Sequence, residues 1–194
     1  MSRLAEAAIQ GGADVLQLRD KDASNEDLLA QAKKLLIVTR HYGIPLIIND
    51  RLEIVQKAGA EGLHLGQEDG SLREARQQLG EDAILGRSTH SPEQALAAEK
   101  EGFDYVGIGP VFTTPTKPGR PAVGHELVRF ASKNLNIPFV AIGGIDESNI
   151  LSVAEAGAKC VAVVRALMGS ADPRLSAQNF LTQLKETERK VCGK

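Results

Sequence analysis

Ser91-Pro92-Glu93-Gln94-Ala95-Leu96-Ala97-Ala98-Glu99-Lys100-Glu101-Gly102-Phe103-Asp104-Tyr105-Val106-Gly107-Ile108-Gly109 reads as one complete unit of a repeating plan. A serine hydroxyl can satisfy the free N–H groups of a helix start, and proline at the first helical position arrives with its φ already set. Glycine after Glu101 takes the left-handed conformation that stops a helix cheaply. The run that follows, Tyr105–Gly109, is short and β-rich, and ends on a second glycine. Helix, glycine stop and strand in that order make half of a parallel βαβ unit.

The same order recurs in both directions along the chain. Strands are expected at Asp14–Arg19, Pro45–Asn49, Gly62–Gly66, Ala83–Ser88, Tyr105–Gly109, Pro138–Gly143 and Cys160–Val164. Helices are expected between them, among them Asn25–His41, Ser71–Leu79, Ser91–Glu101, Glu147–Ala156 and a last one near Leu175–Arg189. The joint seen at Gly102 has counterparts in Gly11-Gly12-Ala13-Asp14, Ala58-Gly59-Ala60-Glu61-Gly62 and Ala156-Gly157-Ala158-Lys159. Regular joints of this kind favour strands arranged around a barrel. A closed barrel of this class has eight strands, one more than the sequence offers. Its opening helix, Arg3–Gln10, should itself follow a strand. The expectation is therefore an α/β fold, a (β/α)8 TIM barrel forming a single phosphate-binding domain over residues 1–194, with its first strand lying upstream.

Composition narrows the partners. The chain has 194 residues with 23 basic and 25 acidic side chains, a net charge of −2, so no basic field points to nucleic acid. Aromatic residues are 4%, too few for base-stacking platforms. Apolar runs such as Pro45-Leu46-Ile47-Ile48 are far too short to span a bilayer. Cys160 and Cys192 have neither metal-ligand spacing nor a disulfide framework. A reducing compartment follows: cytoplasm, or an organellar stroma such as the plastid's if a transit segment has been removed. Small-molecule substrates are the expected partners, with no nucleic acid and no membrane; a homo-oligomer is left open.

Chemistry-bearing residues collect at the ends of the expected strands, where barrels of this class build their sites. In Gln17-Leu18-Arg19-Asp20-Lys21 the side chains alternate, so Gln17, Arg19 and Lys21 share a face directed at the barrel mouth. Two cations on an inward face are costly unless an anion meets them. The next strand ends in Asn49-Asp50, and the one after leads into His64-Leu65-Gly66-Gln67-Glu68-Asp69. Asp50 by itself reads equally as a helix cap, but aspartates at neighbouring strand ends suit a hard cation such as Mg2+. His64 reads as either a satisfied core histidine or a catalytic one. Ser88 either meets a phosphate or starts the following helix. The loop from Gly109 to Pro121 is long for its kind and carries Thr113, Thr114, Thr116, Lys117 and Arg120, an anion-binding lid or a plain surface loop. Gly143-Gly144 would let backbone amides approach a phosphate, with Val163-Val164-Arg165 as the facing wall.

Assembled, these segments resemble the thiamine phosphate synthase family over essentially the whole chain. The resemblance rests on six motifs in order: Gln17-Leu18-Arg19-Asp20-Lys21, Ile47-Ile48-Asn49-Asp50-Arg51, His64-Leu65-Gly66-Gln67-Glu68-Asp69, Gly86-Arg87-Ser88-Thr89-His90-Ser91, Gly109-Pro110-Val111-Phe112-Thr113-Thr114-Pro115-Thr116-Lys117 and Ala141-Ile142-Gly143-Gly144-Ile145. It implies a transferase that joins hydroxymethylpyrimidine diphosphate to thiazole phosphate and releases diphosphate. By the same resemblance Gln17, Arg19, Lys21 and Asn49 would hold the pyrimidine diphosphate, and Asp50 and Asp69 would bind Mg2+. Ser88 and Lys117 would secure the diphosphate, so that Arg19, Lys21, Ser88 and Lys117 form the catalytic set. Thr114, Thr116, Gly144, Val164 and Arg165 would meet the thiazole phosphate.

The chain departs from the family pattern in three places: the first strand is absent, Asp20 replaces a more usual Glu, and Arg165 stands where many members have Ser. Two other readings stay open. One is a thiazole tautomerase-like relative, for which a histidine would be expected where this chain has Pro110; the other is a non-catalytic barrel that binds a phosphate ligand.

Overall fold

A computed structural model describes residues 1–114 and 121–192, with side chains to Arg189. Its seven strands are β1 (Leu16–Leu18), β2 (Leu46–Asn49), β3 (Gly62–Leu65), β4 (Ile84–Thr89), β5 (Tyr105–Ile108), β6 (Phe139–Ile142) and β7 (Val161–Ala162). All neighbouring pairs are parallel and the order is that of the sequence. All seven expected strands are present, their ends moved by one or two residues; of the seventh only Val161 and Ala162 remain. Among the described residues β7 and β1 do not pair, so the barrel has a gap where an eighth strand would close it.

The helices are α1 (Ser2–Gln10), α2 (Asn25–Tyr42), α3 (Leu52–Ala58), α4 (Leu72–Leu79), α5 (Pro92–Glu101), α6 (Gly124–Asn134), α7 (Ile150–Glu155), the short α8 (Arg165–Met168) and α9 (Pro173–Cys192). α9 packs against both α1 and α7 and so brings the two ends of the sheet together across the gap. That approach is close: a Cβ on Gly12 would lie 2.5 Å from the Leu181 side chain. Among the described residues no helix is long and apolar enough to cross a membrane.

Local rules set these boundaries. The Ser91 side chain accepts from the Gln94 N–H, with Pro92 opening α5, and Ser24 and Ser71 cap α2 and α4 in the same way. The four glycine joints all carry a left-handed residue, but in two versions. Gly59 and Gly102 are themselves the C-caps at φ 71° and 98°. At the ends of α1 and α7 the cap is right-handed, and the positive φ falls one residue later, on Gly12 and Gly157.

The strands form the core. Leu46, Ile47, Ile48, Leu63, Leu85, Val106 and Ile108 are essentially sealed from solvent. Each such side chain contributes about 1.5–3 kcal/mol through burial. Strands covered on both faces need no polar alternation, which is why Leu46-Ile47-Ile48 is continuously apolar.

Candidate active site

The sheet delivers two groups of residues to its C-terminal end. The first lies beyond β1, β2 and β3. Lys21 Nζ sits 3.2 Å from Asp50 Oδ2, and the Asp50 carboxyl neighbours that of Asp69. Asp69 Oδ2 accepts from the Gly66 N–H at 2.8 Å, which folds the loop after β3 back on itself. Asp50 does not cap α3, whose N-cap is Arg51 without a side-chain cap bond. It adopts φ 63°, and among the described residues it is the non-glycine residue with positive φ. Left-handed backbone is least costly for Asp and Asn among side-chain-bearing residues, and such strain gathers at functional sites.

The two carboxyls divide their protonation unequally. Burial raises Asp50, as does the neighbouring Asp69 carboxylate, and Lys21 only partly offsets this. Burial also pushes Asp69 upward, but the neighbouring Asp50, the Gly66 N–H, Lys21 and Arg87 together hold it below the ordinary range. Of the two, Asp69 is the more readily ionised. Two neighbouring carboxyls beside a single lysine form a donor set that fits a divalent cation. Among the described residues no group of three or more His, Cys, Asp or Glu forms.

Two arginines, which the sequence did not single out for this, hold the loops. Arg51 donates to the carbonyls of Ala23, Lys21 and Asp20 at 2.7, 3.0 and 3.4 Å and to Asn25 Oδ1 at 2.9 Å, fixing the segment that carries Arg19 and Lys21. Arg87 donates to the carbonyls of Gly70 and Gln67 at 2.8 and 2.9 Å and lies over the Phe103 ring, fixing the loop that carries Asp69. Arg19 itself is exposed at the end of β1, and Asn49 is half-buried at the end of β2, in register with His64.

The second group surrounds a cavity of about 300 Å3 beyond β4 to β7. Ser88, Thr114, Gly144, Val164 and Arg165 all line it, together with His90 and Pro110. Thr116 and Lys117 lie outside the described residues. Ser88 does not start the following helix; Ser91 has that role. The glycine pair has a packing reason beside the one read from sequence. With φ 103° and 67°, Gly143 and Gly144 seat the loop after β5, whose Val111 and Phe112 N–H groups donate to Ile142 and Gly143. A Cβ on Gly144 would stand 2.8 Å from the Phe112 Cβ.

Beneath both groups runs a chain of side chains that the sequence left undecided. His64 Nε2 is 2.8 Å from Ser88 Oγ and its Nδ1 is 2.9 Å from the Tyr105 hydroxyl. Burial raises Tyr105 above the ordinary phenol range, and the neighbouring Gln17 partly offsets it. Neither Tyr105 nor its link to His64 has a sequence signal; both emerge only when β3, β4 and β5 are placed side by side.

Comparison with known proteins gives a consistent picture. Residues 1–167 match the family described as Thiamine monophosphate synthase. A thiamine-phosphate synthase of Thermus thermophilus is 48% identical over 92% of this chain and 86% of that protein. Another, of Thermosynechococcus vestitus, is 45% identical over 95% of this chain but 53% of its own length, so the chain spans about half of such longer relatives. A solved thiamine phosphate pyrophosphorylase from Pyrococcus furiosus superposes with a TM-score of 0.87 and 33% identity, over 96% of this chain and 90% of that one.

Proposed function

Because the chain belongs to the thiamine monophosphate synthase family, we propose that it joins hydroxymethylpyrimidine diphosphate to thiazole phosphate, giving thiamine phosphate and diphosphate. The observation that carries this reading is the pair of groups at the C-terminal end of one sheet: cations and carboxylates beyond β1 to β3, and a glycine-walled cavity beyond β4 to β7. A two-substrate transfer needs that arrangement, since one ligand must present its leaving group while the other is held in line.

In the reaction the C–O bond to the diphosphate breaks, the leaving oxygen keeps the electron pair, and the thiazole nitrogen forms the new C–N bond to the pyrimidine methylene. No proton transfer is required to make the nucleophile. The chain's part is to position the substrates and to stabilise charge that grows on the leaving group. Gln17, Arg19, Lys21 and Asn49 hold the pyrimidine diphosphate, and Lys21 and Ser88 address the diphosphate oxygens. Lys117 is assigned to the same oxygens by the family resemblance. Asp50 and Asp69 would hold Mg2+, which when bound supplies positive charge to the leaving diphosphate. Thr114, Gly144, Val164 and Arg165 receive the thiazole phosphate, as does Thr116 by resemblance. Pro110 offers no imidazole where a tautomerase-like relative would need one.

The test supplies both substrates and Mg2+ to the full-length protein and follows thiamine phosphate and diphosphate together. The expected result is equimolar appearance of both. No thiamine phosphate above background overturns the proposal.

A further inference from the structure

The strands under the mouth are shaped around the Tyr105–His64–Ser88 chain. In register, His64 faces Gly86 and Gly86 faces Tyr105, while Ser88 faces Gly107. Glycine in a strand interior weakens it and marks a close approach. Here the approaching groups are the members of the chain: a Cβ on Gly86 would overlap the Tyr105 ring, and one on Gly107 would stand 3.3 Å from His64 Cε1. The two rings lie side by side in that space, with centroids 5.5 Å apart. Two strand glycines thus make room for one pair of rings.

The direction of the hydrogen bonds follows from counting protons. Tyr105 has one hydroxyl hydrogen, and its hydroxyl lies 2.9 Å from His64 Nδ1. Burial keeps that phenol protonated, and a phenol is a better donor than acceptor. The hydroxyl hydrogen then goes to His64 Nδ1. A ring nitrogen that accepts carries no proton, so the imidazole is the neutral form with its hydrogen on Nε2. That hydrogen is donated to Ser88 Oγ, which leaves the Ser88 hydroxyl hydrogen to point into the cavity that Ser88 lines.

We infer that Tyr105 and His64 are positioning residues that lock one imidazole tautomer and so make Ser88 an obligate hydrogen-bond donor toward an anionic diphosphate oxygen. The inference rests on the proposed reaction for the identity of that anion. Orientation by a fixed donor avoids reorganising the hydroxyl when charge develops on the leaving group. His64 touches no ligand in this scheme and acts through Ser88.

Tyr105→Phe is the informative variant, because it keeps the ring above Gly86 and removes only the hydroxyl. Imidazole 15N spectra of the full-length protein read the tautomer directly, which a purely structural role for Tyr105 would not move. His64 in the native chain is expected as a single neutral species protonated on Nε2, becoming a mixture in Tyr105→Phe. A native His64 protonated on Nδ1, or unchanged in the variant, overturns the inference.

Binding of inorganic diphosphate with Mg2+ gives the second readout. Ser88→Ala is expected to weaken it about tenfold, the loss of one charge-assisted hydrogen bond. Tyr105→Phe should weaken it severalfold, and the double variant should match Ser88→Ala alone. Losses that multiply show independent residues and overturn the relay. Diphosphate that binds natively without any thiamine phosphate being formed sinks the proposed reaction alone. Product formed by a protein whose diphosphate binding ignores Tyr105→Phe sinks only the relay.

Discussion

The two halves of the barrel mouth are built by different means. Beyond β1 to β3 the site consists of side-chain charge: Lys21 against Asp50, Asp50 against Asp69, and Arg51 and Arg87 tying the loops that carry them. Beyond β4 to β7 it consists of backbone: Gly143 and Gly144 in left-handed conformations, a cavity between loops, and Arg165 exposed at its edge. A half made of charge is sensitive to single charge changes and to pH. A half made of shape is sensitive to single methyl groups. Substitutions that separate these sensitivities test whether the division is real.

The largest effect is expected from Asp50→Asn. Asparagine tolerates the φ of 63° that Asp50 adopts, so the fold should survive while a carboxylate is lost. Turnover with Mg2+ should fall by about 10²–10³-fold, the scale of removing one electrostatic contributor to a transition state. Thermal denaturation should show a native-like transition. A variant that keeps its Mg2+-dependent rate breaks the charged half as drawn.

Gly144→Ala is the matching probe of the other half. Its Cβ would stand 2.8 Å from the Phe112 Cβ and 3.0 Å from the Thr113 carbonyl oxygen, at a φ of 67°. Strain and overpacking of this kind cost about 1–3 kcal/mol. The KM for thiazole phosphate should rise well before that for the pyrimidine diphosphate. Equal rises would mean that the two halves are one pocket.

How much of this was open to a reader of the sequence follows from the same division. Alternation puts Gln17, Arg19 and Lys21 on one face, and strand-end position alone brings Asp50 and Asp69 forward, because charge at a buried edge demands an explanation. The seven strands and the glycine joints were legible for a similar reason: period and punctuation are local. The Tyr105–His64–Ser88 chain was not, since its members lie on β3, β4 and β5 and meet only through strand register. Gly86 and Gly107 look like poor strand residues until the rings they admit are known. Arg51 and Arg87 were equally silent, because each acts on carbonyls of a loop distant in sequence. Asp50 read as a possible helix cap for want of the φ that takes it away from that task.

Arg51→Ala probes the loop rather than the charge. It removes the bonds to Ala23, Lys21, Asp20 and Asn25, and a typical hydrogen bond to a charged group contributes about 1.5–3 kcal/mol net. Hydrogen exchange should quicken in residues 20–25, and KM for the pyrimidine diphosphate should rise severalfold with thiazole phosphate little affected. Unchanged exchange in that segment would show that the loop is fixed by something other than Arg51.

The smallest effect concerns protons. Asp69 is held below the ordinary aspartate range, so its contribution to stability is present at neutral pH and is lost as pH falls through that lowered value. Asp50 is raised, so the sign reverses: what it contributes is complete below the ordinary value and is lost as pH climbs through its raised value. A divalent cation between the two carboxyls reverses the second term, because it favours the Asp50 carboxylate that burial disfavours. The gain in melting temperature on adding Mg2+ should therefore be slight in acid, grow as pH rises through the raised Asp50 value, and then level off. Metal binding within that window should release protons, and Asp50→Asn should abolish both the release and the pH dependence. A gain that stays flat across the window would show that the carboxyl pair is not where the cation binds, and the charged half would then reduce to Arg19 and Lys21.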